Sequence, residues 1–190
     1  AWSLRWYRQM VGISSIGDTT VVTNKWMLGT RNSFIIGISA TFLATALGTV
    51  AALGLSRRNM PFKGTIMAIL ISPMIVPLII TSAGMFFFYS KVGLTHTYLG
   101  LILAHTALGT PFVVITVTAT LTGFDTNLIR ASQSLGADTM RTFFKVIMPL
   151  ILPGVISGAL FAFITSFDEV VVVMFVGSVE QITIPKQMWA

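Results

Sequence analysis

Asp168 and Glu169 stand side by side at the end of a 22-residue stretch, Val146 to Phe167, that holds no charged side chain of its own. Two carboxylates in such a place can attract a cation, or each can bond to a neighbouring helix. An acid near the centre of a membrane helix costs on the order of 3 kcal/mol, falling toward the helix end, so its presence calls for a partner or a task. Adjacent helical residues point about 100° apart, which prevents both acids from sharing one partner. Either one faces a solute path while the other pairs within a bundle, or both are structural. His105 lies alone in another uncharged stretch, where a hydrogen bond to a neighbouring helix fits better than metal binding or a proton relay.

The sequence offers little else in the way of chemistry. It contains no G-x-x-x-x-G-K-[ST] phosphate loop, no H-E-x-x-H, no nucleophile elbow and no paired metal ligands, so a catalytic membrane enzyme has no residues to work with. Zero cysteines exclude a disulfide framework and a thiolate metal site.

The elements that must position the acids are strongly apolar. Of 190 residues 54% are hydrophobic and 9% charged, against roughly 25% charged in a soluble domain. The charges are clustered, leaving 25 residues without one between Arg31 and Arg57, 27 between Lys63 and Lys91, and 33 between Lys91 and Asp125. Each window exceeds the roughly 20 residues that cross a bilayer core as helix. The reading is an all-α, polytopic transmembrane bundle with four spans near 33–55, 65–90, 98–122 and 150–175. Continuous apolar runs argue against alternating barrel strands, and a soluble bundle would have too little polar surface to cover four such helices.

Within the spans, Ala40, Ala44, Gly48 and Ala52, and again Gly154, Gly158, Ala162 and Ser166, form stripes of small residues that let helices approach closely. Pro73 and Pro77 in the second span and Pro111 in the third each remove a helix hydrogen bond and favour a kink. The net charge of +6 comes from 12 basic residues dispersed through the connections, a topological signal rather than a nucleic-acid patch. Alternating spans put Arg57, Arg58, Lys63, Arg130, Arg141 and Lys145 on one side. Arg5, Arg8, Lys25, Arg31, Lys91 and Lys186 fall on the other, a balance that does not orient the chain. Ala1 is no initiator Met, no signal-peptide pattern follows it, and the chain stops after a polar stretch, which reads as the interior of a longer protein.

One connection is more elaborate than a link between spans requires. Asp125 can cap a short helix that puts Leu128, Ala131 or Ser132, and Leu135 on one face, with Gly136 at its left-handed end. Asp138 can cap a second, in which Met140, Phe143, Phe144 and Ile147 share a face and Arg141 and Lys145 lie opposite. The two make a compact knob, either a docking device or an interfacial helix on anionic lipid.

At this point the chain resembles a family. Arg130-Ala131-Ser132, then Gly136, then Val146-Ile147-Met148-Pro149 keep the spacing of the E-A-A, three residues, G, nine residues, I-x-L-P signature of permease subunits of binding-protein-dependent ABC importers. Ala131, Gly136 and Pro149 match in identity. Arg130 replaces the glutamate and reverses its charge, Ser132 replaces the second alanine, and Val146 and Met148 replace Ile and Leu. The stretches Ser3-Leu4-Arg5-Trp6-Tyr7, Arg31-Asn32-Ser33, Ser166 to Val172 and Thr183 to Trp189 resemble the polyamine branch, which carries putrescine and spermidine.

The resemblance implies a type I (MetI-like) importer permease fold of about six spans, one before Ala1 and one after Ala190. It implies a single transmembrane permease domain over 1–190, with 123–149 as a cytoplasmic coupling loop. By that resemblance Arg130, Ala131, Ser132, Leu135, Gly136, Ala137, Asp138, Arg141 and Pro149 would meet the ATPase. Asp168 and Glu169 are the substrate-path candidates. The implied partners are an ABC ATPase dimer that binds the ATP and Mg, a second permease forming a heterodimer, a periplasmic or extracellular solute-binding protein, and the lipid of the inner membrane, with no nucleic acid. This chain itself would hold no cofactor or metal. The rival is a secondary transporter or channel run by an ion gradient through the acidic pair, and ATP dependence separates the two.

Overall fold

The computed structural model describes residues 20–189 apart from Arg58 and Thr126, with side chains from Lys25 onward. The segment Ser3 to Tyr7 and the charges of Arg5, Arg8 and Arg58 lie outside the described residues. The described chain is helical: α1 (Thr20–Leu55), α2 (Lys63–Ile75), α3 (Leu78–Val92), α4 (Tyr98–Thr122), α5 (Asn127–Ser134), α6 (Thr139–Thr142), a π-helical turn (Phe143–Ile147), α7 (Met148–Asp168), α8 (Val171–Val176) and α9 (Ile184–Met188).

Three of the four expected spans differ from the sequence reading. α1 begins well before residue 33, because Asn32, which looks like a polar terminus, is fully buried inside the helix and bonded to distant backbone. The expected 65–90 span is two helices bent by 104° at Val76. Pro73 lies within α2 and Pro77 caps α3, and Val76, held before a proline, takes the extended conformation (φ −73°, ψ 134°) that such a residue favours. The expected 150–175 span ends at Asp168, and a separate short helix follows. Only α4 keeps the expected bounds. Thr97 caps it by accepting from the Gly100 amide at 3.0 Å, and the helix runs through Pro111 without a break.

α1, α4 and α7 pack on one another to form the centre of the fold. The two small-residue stripes explain how. Every member of both is buried. A Cβ on Gly48 would sit 2.7 Å from the Val113 Cβ, and one on Gly158 would sit 2.8 Å from the Val113 Cα, so glycine at these positions brings both helices onto α4 at backbone contact. Outside the bundle, Phe42, Val50, Ile69, Phe87 and Leu160 are all more than half exposed, an outer surface suited to lipid. Among the described residues, three helices are long and apolar enough to cross a membrane, or four if the bent pair counts as one span.

Candidate functional site

The two acids sit at a break in the backbone. Asp168 is the last residue of α7, and Glu169 turns extended (φ −75°, ψ 124°) before α8 starts. This corrects the expectation of one continuous span over 150–175: at a helix end the chain direction changes and the two side chains acquire different surroundings. Glu169 is buried, and its Oε1 accepts from the Val172 amide at 2.8 Å, satisfying a donor at the start of α8. Asp168 is exposed. α8 is a valine-rich turn with poor intrinsic helix propensity, held by burial of Val172, Val173 and Val176.

Further residues tie this break to the rest of the bundle. Lys186 donates its Nζ to the carbonyls of Val173 and Ser178, each at 3.2 Å, so a cation sits against the end of α8 opposite Glu169. Partial burial pushes the Lys186 ammonium below the usual lysine pKa. Asn32 donates to the carbonyls of Glu180 and Ile182, both at 2.9 Å, and accepts from the Tyr98 hydroxyl at 2.9 Å. Gln181 donates to the His96 carbonyl at 2.8 Å. These bonds tie the segment after α8 to α1 and to the loop before α4. His105 pairs with Ser166 at 2.8 Å, which joins α4 to α7 at the end of the small-residue stripe.

The knob lies at the other end of α7. Asp125 Oδ1 accepts from the Asn127 amide at 2.9 Å and starts α5. At its far end Gly136 adopts φ +80°, with the Ala137 amide bonded to the Ser132 carbonyl at 3.1 Å and the Gly136 amide to the Gln133 carbonyl at 2.9 Å. That is a Schellman turn. Asp138 Oδ1 then accepts from the Arg141 amide at 2.7 Å and caps α6.

The second short helix is not separate, as the sequence reading had it. Residues Thr139–Asp168 form one helical run of 30 residues, with the π turn just before Pro149. Pro149 has no amide to offer the Lys145 carbonyl, and the Met148 amide reaches back to the Phe143 carbonyl in the wide turn.

Of the residues singled out for coupling, Arg130, Ala131, Leu135, Asp138 and Arg141 are exposed, and Ser132 and Ala137 half-buried. Leu135 is 88% exposed at the tip, and Leu128, Met140 and Phe144 are exposed too, so most of the expected apolar faces point outward. The contact inward is polar. Ser132 Oγ and Thr142 Oγ1 lie 2.8 Å apart, and Thr142 is buried. Ser132, a departure from the signature, thus fastens α5 to α6. Among the described residues, no group of three His, Cys, Asp or Glu side chains is placed to hold a metal ion.

A helical membrane bundle whose tightly packed spans connect a capped, outward-facing knob to an acidic break has the architecture of a transport component. The family described as binding-protein-dependent transport system inner membrane component matches residues 15–188, and the chain belongs to that family. It is 29% identical over 189 residues to the spermidine/putrescine transport system permease protein PotC of Haemophilus influenzae, covering 100% of this chain and 70% of that one. It is 27% identical over 175 residues to the Escherichia coli K12 protein of the same name, covering 92% of this chain and 62% of the relative. With the E. coli K12 putrescine transport system permease protein PotI it shares 29% over 194 residues, covering 97% of this chain and 64% of the relative. The chain therefore spans roughly two thirds of the length of these relatives.

Proposed function

We propose that this chain is a permease subunit of an ATP-driven importer that carries a small polyamine, putrescine or spermidine, inward across the inner membrane. The observation that carries the reading is the knob. The signature residues Ala131 and Gly136 take part in a capped structure that presents Leu135 outward, and Pro149 follows the π turn that joins it to α7. The names of the relatives support a polyamine as solute. In this reading the knob is cytoplasmic and docks on an ATPase dimer that binds ATP and Mg, a second permease pairs with this chain, and a solute-binding protein delivers the cation at the outer face. Arg130, Ala131, Ser132, Leu135, Gly136, Ala137, Asp138, Arg141 and Pro149 build or present the ATPase contact.

The acids divide the remaining work. Asp168, exposed at the break, attracts the cationic solute. Glu169 is engaged with the Val172 amide and shapes the site by holding α8. ATP hydrolysis belongs to the partner chain, and this chain changes the access of the path.

The test is uptake of labelled putrescine into vesicles carrying the assembled complex and its binding protein. Uptake should require ATP and survive ionophores that collapse ion gradients. Uptake that needs a gradient and ignores ATP would instead establish a secondary transporter.

A further inference from the structure

The knob is internally rigid. A Schellman turn closes α5, Asp138 caps α6, and the Ser132–Thr142 bond ties one helix to the other. α7 is rigid for a different reason: Gly154, Gly158 and Ala162 seat it on α4 at backbone contact, which resists bending. Between these two bodies lies the π turn Phe143–Ile147. A π turn amounts to one residue inserted into an α-helix. It loosens the local hydrogen bonding, and removing or shifting the extra residue changes the rotation of everything beyond it by about 100°.

The surroundings of the turn allow movement. A cavity of about 480 Å³ separates the knob from the ends of α1 and α4. Thr139, Thr142, Phe143 and Ile147 form one wall with Ile129 and Gln133, while Leu53, Ser56, Arg57 and Leu121 form the other. Close-packed interiors resist displacement, whereas the cavity-facing Ile129, Gln133 and Thr139 can advance without repacking the core on which Ile147, the last residue of the turn, is seated.

We propose that the π turn Phe143–Ile147 is the joint between knob and α7, and that the knob closes on this cavity when the transporter turns over, bending at the joint while α7 stays seated on α4. The joint rests on the coupling reading of the knob, but it is separable from it. A knob could dock on an ATPase and move with the whole helix as one rigid body, with no bending at 143–147.

The experiment uses the assembled complex with Ser56→Cys and Gln133→Cys on opposite walls, in a chain that has no cysteine of its own. Bridging the pair with a cleavable bifunctional maleimide should lower uptake by about ten-fold or more, within the usual range of coupling between sites, and cleavage should restore it. Unchanged uptake in the bridged complex overturns the joint. The same two cysteines, spin-labelled, should report a distance that differs between the nucleotide-free and ATP-trapped complex. A distance that stays the same also overturns it, and this readout needs no uptake. Absence of ATP-driven uptake before bridging counts against the proposed function instead. Deleting Lys145, which closes the π turn into α-helix, should uncouple ATP hydrolysis from uptake while Lys145→Ala does not. Full coupling in the deletion contradicts the proposal.

Discussion

Gly136 gives the cleanest test of the knob, because its environment separates backbone strain from crowding. Its φ is +80°, yet a Cβ built there meets no atom within 4 Å. A larger side chain therefore encounters open space, and the cost of replacing Gly136 is conformational. An L-residue held in the left-handed region pays about 1–2 kcal/mol, asparagine pays less, and a β-branched residue pays more. On the usual conversion, 1–2 kcal/mol is about a 5–30-fold loss of the correctly turned knob relative to its alternatives. Such alternatives lose the Ala137–Ser132 and Gly136–Gln133 bonds and displace Leu135. Uptake per recovered complex should fall in the order Gly136, Gly136→Asn, Gly136→Ala, Gly136→Val, with membrane insertion unchanged. Solute-stimulated ATPase activity should follow the same order. Wild-type uptake from Gly136→Val refutes the reasoning. So does an asparagine variant as damaged as the valine one, since that would make side-chain size the cause.

The acids should separate in the same assay. Asp168→Asn should lower uptake per complex with normal recovery, while Glu169→Leu, which leaves the Val172 amide without its acceptor at a cost of about 1–3 kcal/mol, should lower the amount of complex recovered. Normal recovery and uptake in both would remove the break from the solute path. Asn32→Leu should lower the thermal midpoint by several degrees, because the Tyr98 hydroxyl and two carbonyls lose their partner; an unchanged midpoint would show that the tie is dispensable. For topology, cysteines at the exposed positions Asn59 and Thr139 should resist a membrane-impermeant thiol reagent in intact cells, and one at Lys91 should react. Labelling of Thr139 from outside would reverse the orientation. Thr97 is a poor reporter because its hydroxyl caps α4.

What the sequence revealed was local in origin. The bounds of α4 follow from an uncharged window, and the Gly136 turn from a glycine placed between two short amphipathic stretches. Both signals lie within a few residues of the structure they specify. The errors arose where distant parts of the chain decide. Asn32 looks like a helix boundary until residues 180 and 182 arrive to accept its hydrogens. Pro73 and Pro77 announced a kink, but the extended Val76 before Pro77 turns it into a bend of 104° that divides the span into two helices. The different surroundings of Asp168 and Glu169 depend on a backbone break that no spacing rule marks. Thr142 lacked the apolar periodicity that drew attention to its neighbours, yet it is the buried anchor of the knob.

The central claim is that the knob delivers the action of an ATPase to this chain, and Leu135 reports on it most directly. Exposed at the tip, it should lie in a cleft of the partner rather than against lipid. A photoreactive amino acid installed at Leu135 in the assembled complex should cross-link to the ATPase chain, and the yield should change when ATP is trapped. Adducts with lipid alone, with or without nucleotide, would show that the knob is an interfacial helix and contradict the account.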